Sequence, residues 1–229
     1  MSLKRRPPAN NVRRVHTHGK GFWGTMVNQV SETIQIESGL EKNGALILIR
    51  NRAVRRIISQ PIRIQYVDEN GKPHTYTPDF MVIFWDGHVE IHEFSAEFRR
   101  IRPDIRRREA AARVYCETQG WVYVVHTERN MPGPTEQVNI RDLSQYRPSA
   151  YFDERIANCI RTHLADGTRI SLIELADQVS QRLGVSVPLV NNTVFHMLWS
   201  EQLCTDLSNL LIFLQGTPNP RALIWMESR

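Results

Sequence analysis

The chain has 229 residues, of which 41% are hydrophobic and 23% are charged, a composition typical of globular domains. No apolar run approaches the roughly 20 residues that span a bilayer, which argues against a membrane-embedded protein. The three cysteines are scattered and lack metal-site spacing, so neither a disulfide framework nor a zinc site is expected.

The net charge of +5 is unevenly divided along the chain. Residues 1–150 carry 23 basic and 16 acidic side chains, whereas residues 151–229 carry 6 and 8. The positive charge therefore belongs to the first part of the chain, where it favours a polyanionic partner.

The N-terminal elements begin with a basic arm, which we predict for residues 1–30. A helix is predicted from residue 32 to about residue 49, because Ile36, Leu40 and Leu48 recur on one face. This helix precedes the segment in which alternating hydrophobic residues indicate strands.

Three strands are predicted between residues 61 and 95. The first alternates through residues 62–66, and its return strand spans residues 76–84 after a turn at residues 68–71 that ends in Asn-Gly. A second turn, Asp86-Gly87, leads into a strand over residues 89–95. This run of hairpins predicts an antiparallel part of a sheet.

The sheet is predicted to continue after a helix. Pro103 near the start and Gly120 just past the end bound a helix over residues 103–119. Residues 121–126 then form an apolar strand that we expect to be buried on both sides. Residues 130–148, with three prolines and a glycine, are predicted to be an irregular linker.

The last part is predicted to contain helices over residues 153–164, 172–183 and 188–199, with Ser171 and Gly184 bounding the second helix. Residues 203–214 are predicted to form two short strands around Ser208-Asn209. Three helices followed by a hairpin are the order of a winged helix.

Acidic residues mark a candidate metal site. Asp79 follows Pro78 at the start of a strand, and Glu93 lies in the next strand across a tight turn. Neighbouring strands lie about 4.8 Å apart, so two acids on one face can share a divalent ion. Glu41 on the preceding helix is a third candidate ligand, with Glu37 one turn away as the alternative. Oxygen ligands favour Mg²⁺ or Mn²⁺.

The order of these acids resembles the PD-(D/E)xK nuclease signature, and the local sequence resembles the TnsA-type endonuclease subunit of two-part transposases. The matching segments are 36–41 (IESGLE), Gln60-Pro61, 76–82 (YTPDFMV) and 89–93 (VEIHE). The resemblance implies an α/β fold, with a restriction-endonuclease-like mixed sheet flanked by helices over residues 31–148. It also implies a winged-helix domain over residues 149–229.

The same resemblance implies a function and partners. A TnsA-type subunit is a Mg²⁺-dependent DNA endonuclease that cuts the 5′ strand at transposon ends, with Glu41, Asp79 and Glu93 as metal ligands. Its partners are an integrase-like TnsB transposase and a TnsC AAA ATPase regulator, the latter contacting the C-terminal domain. A bacterial cytoplasmic, nucleoid-associated protein is expected.

One position departs from the signature. The family has a lysine two residues after the second acid, where this chain has Ser95. A serine hydroxyl bonds to water but supplies no positive charge to stabilise the transition state. Either another cation substitutes, with Lys42, Arg99 and Arg108 as candidates, or the chain is a degenerate, non-catalytic assembly factor. A stand-alone nuclease of the same fold is a further alternative.

A run of arginines follows the second acid. Because arginine binds phosphate with two parallel hydrogen bonds and crowding of like charges is costly, we predict a DNA-binding surface rather than a solvated helix face. Its members are Arg99, Arg100, Arg106, Arg107 and Arg108.

The C-terminal part has the opposite character. It carries net negative charge, and its third helix contains neither lysine nor arginine, whereas a DNA-reading helix presents basic or amide groups. Apolar residues crowd that helix, so we expect some of them to form an exposed patch that binds a protein.

Overall fold

The computed structural model describes residues 24–27, 32–213 and 217–227. The chain divides between residues 131 and 132 into two compact units. The predicted arm, residues 1–30, lies outside the described residues except for strand β1 (Gly24–Val27), which pairs with β2 (Thr33–Ile36). The predicted domain boundary after residue 148 stays a prediction.

A four-stranded sheet forms the centre of the first unit. In spatial order its strands are β3 (Val54–Ser59), β6 (Phe80–Phe84), β7 (Val89–Phe94) and β8 (Val122–His126). The first three run antiparallel, and β8 runs parallel to β7. This confirms the mixed sheet, whose parallel pair requires a crossover connection between its two strands.

The crossover is helix α2 (Pro103–Gln119), with the predicted bounds. Pro103 occupies the first turn, and Gly120 closes the helix with a left-handed φ of 70°. Ala112 and Cys116 pack with Met81 and Ile91 in a buried cluster on one face of the sheet. Helix α2 therefore covers the face from which the odd-numbered residues of β7 project.

The other face of the sheet is covered by helix α1 (Gly39–Arg50). The helix was expected to begin at residue 32, but residues 33–36 form β2 instead. A Cβ at Gly44 would overlap the ring of Phe94, which is buried with its edge towards Phe80. Glycine thus allows α1 to approach β7 closely.

The predicted return strand over residues 76–84 is wrong as a single strand. Residues 73–76 form β5 (Pro73–Tyr76), which pairs with β4 (Ile64–Val67), whereas β6 pairs with β3. Pro78 lies between the two segments and has no N–H to continue a ladder. The turn at 68–71 is confirmed: Gly71 has a φ of 75°, and its N–H bonds to the Asp68 carbonyl over 2.9 Å.

Strand β8 was expected to be buried on both sides and is not. It pairs with β7 alone among the described strands, and Val122 is 53% exposed. The unbroken apolar run indicated full burial, but a strand with one neighbour has a half-open environment.

The second unit is mainly helical. The predicted linker over residues 130–148 is wrong, because residues 134–143 form α3 (Pro134–Leu143), whose Ile140 and Leu143 are buried. Three further helices match the predicted positions and caps: α4 (Glu154–His163), α5 (Leu172–Leu183) and α6 (Val187–Trp199).

The predicted hairpin over residues 203–214 is also wrong for residues 203–213. Leu214 lies outside the described residues. Strand β10 (Cys204–Thr205) pairs with β11 (Leu223–Trp225), which in turn pairs with β9 (Ile170–Ser171). The winged-helix assignment stays a prediction. No helix in the described ranges is long and apolar enough to cross a membrane.

Candidate functional site

Asp79 and Glu93 stand opposite each other at one end of the sheet. The register between β6 and β7 pairs Phe80 with His92, which places Asp79 across from Glu93. The backbone N–H of Phe94 donates to Oδ2 of Asp79 over 2.7 Å. His92 alternates with Glu93 along β7, so it projects to the opposite face, where it contacts Glu90 and His126. The two acids therefore form one cluster.

Glu41 contributes charge to this cluster from the first turn of α1. Ser38 caps the helix by accepting from the Glu41 N–H over 3.1 Å. In return, Oε2 of Glu41 accepts from the Glu37 N–H over 2.7 Å, an arrangement close to a capping box. The alternative acid, Glu37, accepts instead from the side-chain amide of Gln60 over 2.7 Å.

Burial and the neighbouring acids disfavour the ionised forms of Asp79 and Glu93. Burial, Glu93 and Glu41 hold the pKa of Asp79 well above its usual range. Burial also raises the pKa of Glu93 to about 7, and the charge of Glu41 acts in the same direction, against the lowering effects of Arg108 and Tyr76. The cluster has more buried negative charge than its surroundings neutralise, so binding a cation there is favourable.

Arg108 is the cation that the structure brings to Glu93. Its Nη2 donates to Oε1 of Glu93 over 2.7 Å, and its guanidinium carbon lies 5.1 Å from the centre of the Tyr76 ring. The other oxygen of Glu93 accepts from the Tyr76 hydroxyl over 2.5 Å. The hydroxyl of Tyr123 lies 3.0 Å from that of Tyr76 and extends the network.

Ser95, which occupies the lysine position of the signature, follows β7 directly. It is only 5% exposed, and its backbone N–H donates to the His126 carbonyl over 2.9 Å. Of the three substitute cations considered, Arg108 reaches an acid of the cluster. The Arg99 guanidinium lies instead over the ring of Phe98.

Carboxylate oxygens are the ligand type that a hard divalent ion prefers. The raised pKa values of Asp79 and Glu93 indicate that a nearby positive charge would stabilise their ionised forms. No group of three potential ligand side chains converges on a metal position among the residues the structure describes. Both oxygens of Glu93 are engaged by Arg108 and Tyr76. Because each carboxylate oxygen has two lone pairs, Glu93 keeps the capacity to ligate a metal beside these two partners.

The predicted DNA-binding arginines fall into two groups. Three pair with acids: Arg100 with Glu109 through two bonds of 2.9 Å, Arg107 with Glu69 over 2.7 Å, and Arg108 with Glu93. The exposed side chains of Arg99 and Arg106 have no ion pair with any described acid.

Sequence reasoning missed Tyr76, Tyr123 and Glu109. Tyr76 stands three residues before Asp79 within the segment that carried the resemblance, which is the one local signal of its role. Tyr123 and Glu109 reach the site from β8 and α2, and no local pattern marks them.

A mixed sheet covered by helices, with paired acids where two strands meet, defines a restriction-endonuclease-like nuclease domain. Residues 51–128 match the family model described as TnsA-like endonuclease N terminal, so the chain carries a TnsA-type endonuclease domain. The matched segment includes Asp79, Glu93, Ser95 and Arg108, whereas Glu41 lies before it. No curated protein matches the chain.

The raised pKa of Asp79 predicts a pH-dependent effect of Asp79→Asn on stability. Between the ordinary pKa near 3.8 and the raised value, the folded wild type binds the proton that the unfolded chain has lost, so its stability falls as pH rises. Asparagine keeps an oxygen for the Phe94 N–H and carries no charge. We expect the variant to be more stable than the wild type at pH 8 in EDTA.

This gain should disappear as pH falls below the ordinary pKa of aspartate. Urea unfolding at several pH values measures it, with the exposed Asp86→Asn as the control at the other end of the same strand pair. A gain of equal size at every pH would show that Asp79 is not held in a repulsive cluster.

Proposed function

We propose that the chain is a Mg²⁺-dependent DNA endonuclease subunit of a TnsA/TnsB-type transposase that cuts the 5′ strand at transposon ends. The observation that carries this proposal is the opposition of Asp79 and Glu93 within the matched nuclease domain. The charge of Glu41 reaches both acids. This arrangement supports general nuclease chemistry, and the transposon end follows from the TnsA-type family.

Glu41, Asp79 and Glu93 are the residues that would hold the metal. When bound, a divalent ion polarises the scissile phosphate and makes hydroxide available near neutral pH. The Phe94 N–H fixes one oxygen of Asp79, while Tyr76 and Arg108 orient Glu93. The chain therefore positions its carboxylates through contacts from the sheet and from α2.

Arg108 is our candidate for the charge that the motif lysine supplies elsewhere. Its guanidinium is half-buried and bonded to Glu93, and its Nε is buried without a hydrogen-bond partner among the described residues. An unsatisfied buried donor is costly, so a phosphate oxygen at this position would be a favourable acceptor. Ser95 contributes at most a hydroxyl that orients water.

The second candidate is a degenerate, non-catalytic assembly factor that binds DNA and partner proteins. The replacement of the motif lysine by Ser95 favours it. The two candidates differ in whether Arg108 restores the function of the lysine or only neutralises Glu93.

We propose TnsB as the transposase partner and TnsC as the regulator that contacts the C-terminal part. The negative charge of residues 151–229 and the lack of lysine or arginine in α6 support a protein rather than DNA as the ligand there. Of the apolar residues expected to leave an exposed patch around α6, Leu189 is exposed, whereas Val190, Phe195, Met197 and Trp199 are buried. The proposal for this part rests on charge and on the resemblance.

Removing Asp79 tests the nuclease directly. Asp79→Ala should lower metal-dependent nicking of supercoiled DNA by more than the roughly 10–100-fold that losing an outer-shell partner costs. The assay contains Mg²⁺ or Mn²⁺ and is run with and without the partner transposase. Glu117→Ala, which removes an exposed acid near the end of α2, should cut like the wild type. If the wild type nicks DNA and Asp79→Ala nicks it equally fast, Asp79 is not a catalytic residue.

The division among the arginines predicts different salt responses. Arg106→Gln should weaken DNA binding and reduce the slope of log K against log salt by about 0.9 on duplex DNA, the value for one lost phosphate contact. Arg107→Gln, whose arginine is held by Glu69, should change the slope less. Filter binding or fluorescence anisotropy from roughly 50 to 200 mM salt measures the slopes of both variants. Equal slopes for Arg106→Gln and wild type would show that Arg106 does not contact a phosphate.

A further inference from the structure

The segment between Glu93 and α2 exposes two large apolar side chains. Phe98 is 69% exposed and Ile101 is 70% exposed, the highest values for large hydrophobic residues in the described part of the chain. A single exposed apolar residue is common on protein surfaces and needs no explanation. These two residues lie between β7, which carries Glu93, and α2, which carries Arg108. A pair of exposed apolar side chains beside the acidic cluster does need an explanation.

The backbone that carries these two side chains has local 3₁₀ hydrogen bonds. The N–H groups of Arg99, Arg100 and Arg102 each donate to the carbonyl three residues earlier, over 2.9, 3.1 and 3.1 Å. In such 3₁₀ geometry the side chains at positions i and i+3 align. Phe98 and Ile101 have this spacing, with the 3₁₀ helix itself covering Glu97–Arg99, and we call the pair the apolar ridge.

Arginines surround this ridge. Residues 97–113 contain seven arginines and three acids. Ile101 also lines a cavity of about 330 Å³ with Glu97, Arg100, Arg106, Glu109 and Arg113. Glu109 in that cavity is buried and bonded to Arg100, and its charge raises the pKa of Glu93. The cavity is thus within electrostatic reach of the acidic cluster.

We propose that Phe98 and Ile101 form an apolar wedge that contacts unpaired bases of the DNA strand beside the scissile phosphate, while Arg106 of the adjacent cavity contacts its backbone. Proteins that distort or hold single strands combine these two features, apolar side chains against base faces and cations along the phosphates. This inference rests on the proposed nuclease function and specifies the form of DNA that the site accepts.

The test compares two DNA probes with the full-length protein in EDTA, so that binding is measured without cleavage. One probe is a forked duplex with 2-aminopurine in an unpaired tail, and the other is a fully paired duplex with the same number of nucleotides. Wild type should bind the forked probe about tenfold more tightly, in line with the stacking of one base on an aromatic ring, and should change its fluorescence.

The double variant Phe98→Ala/Ile101→Ala should lose this preference and the fluorescence change. Its salt dependence should match that of the wild type, since no cation is removed. Val114→Ala, which removes an apolar side chain that is 62% exposed elsewhere on α2, is the matched control and should keep the preference. Phe98→Trp should also keep it.

A double variant that still prefers the forked probe would overturn the wedge, as would a wild type that binds both probes equally well. In the second case DNA binding and the proposed nuclease function would stand. A wild type that binds neither probe would also overturn the wedge, whereas the nicking assay with Mg²⁺ or Mn²⁺ tests the endonuclease proposal separately.

Discussion

The burial of neighbouring carboxylates away from water is the constraint on which the rest of the site depends. Asp79 and Glu93 meet where two antiparallel strands come together, and Glu41 adds a third charge from α1. Removing such charges from water costs free energy that only a cation or a proton offsets. Arg108, Tyr76 and the Phe94 N–H offset part of this cost in the structure described. The remaining imbalance is what makes the cluster a candidate metal centre rather than a closed ion pair.

The fold brings these groups together by packing on both faces of one sheet. Helix α1 reaches the sheet because Gly44 leaves room for the Phe94 ring, and its capped first turn presents Glu41. Helix α2 covers the opposite face through Ala112 and Cys116 and carries Arg108 to Glu93. The same crossover begins with the exposed segment that holds Phe98 and Ile101. One connection therefore links the acid, its cation and the proposed contact with DNA.

The features that local patterns determine could be predicted from the sequence. The turn at Asp86-Gly87 fixes the pairing of β6 with β7 and hence the opposition of Asp79 and Glu93, and Pro103 and Gly120 bound α2. The partners of the acids could not be predicted in this way. Tyr76 and Tyr123 are 47 residues apart in sequence and meet only through tertiary packing.

The pairing of the arginines could not be predicted for the same reason, because a run of like charges does not indicate which side chains pair with distant acids such as Glu69 and Glu93. Strand β8 was misjudged because an apolar run does not reveal how many neighbours a strand has. The arginine pairing and the exposure of β8 both depend on long-range contacts. The contact of Arg108 with Glu93, which makes Arg108 the candidate for the missing lysine, is of the same kind.

The most direct test of the account is the metal-dependent nicking rate of Arg108→Ala and of Ser95→Lys/Arg108→Ala, with far-ultraviolet circular dichroism as the check on folding. If Arg108 supplies the charge of the motif lysine, Arg108→Ala should cut about 100-fold more slowly than the wild type, the scale of losing one group that stabilises the transition state. Lysine at position 95 should recover part of the rate. A folded Arg108→Ala variant that cuts as fast as an active wild type would contradict the account.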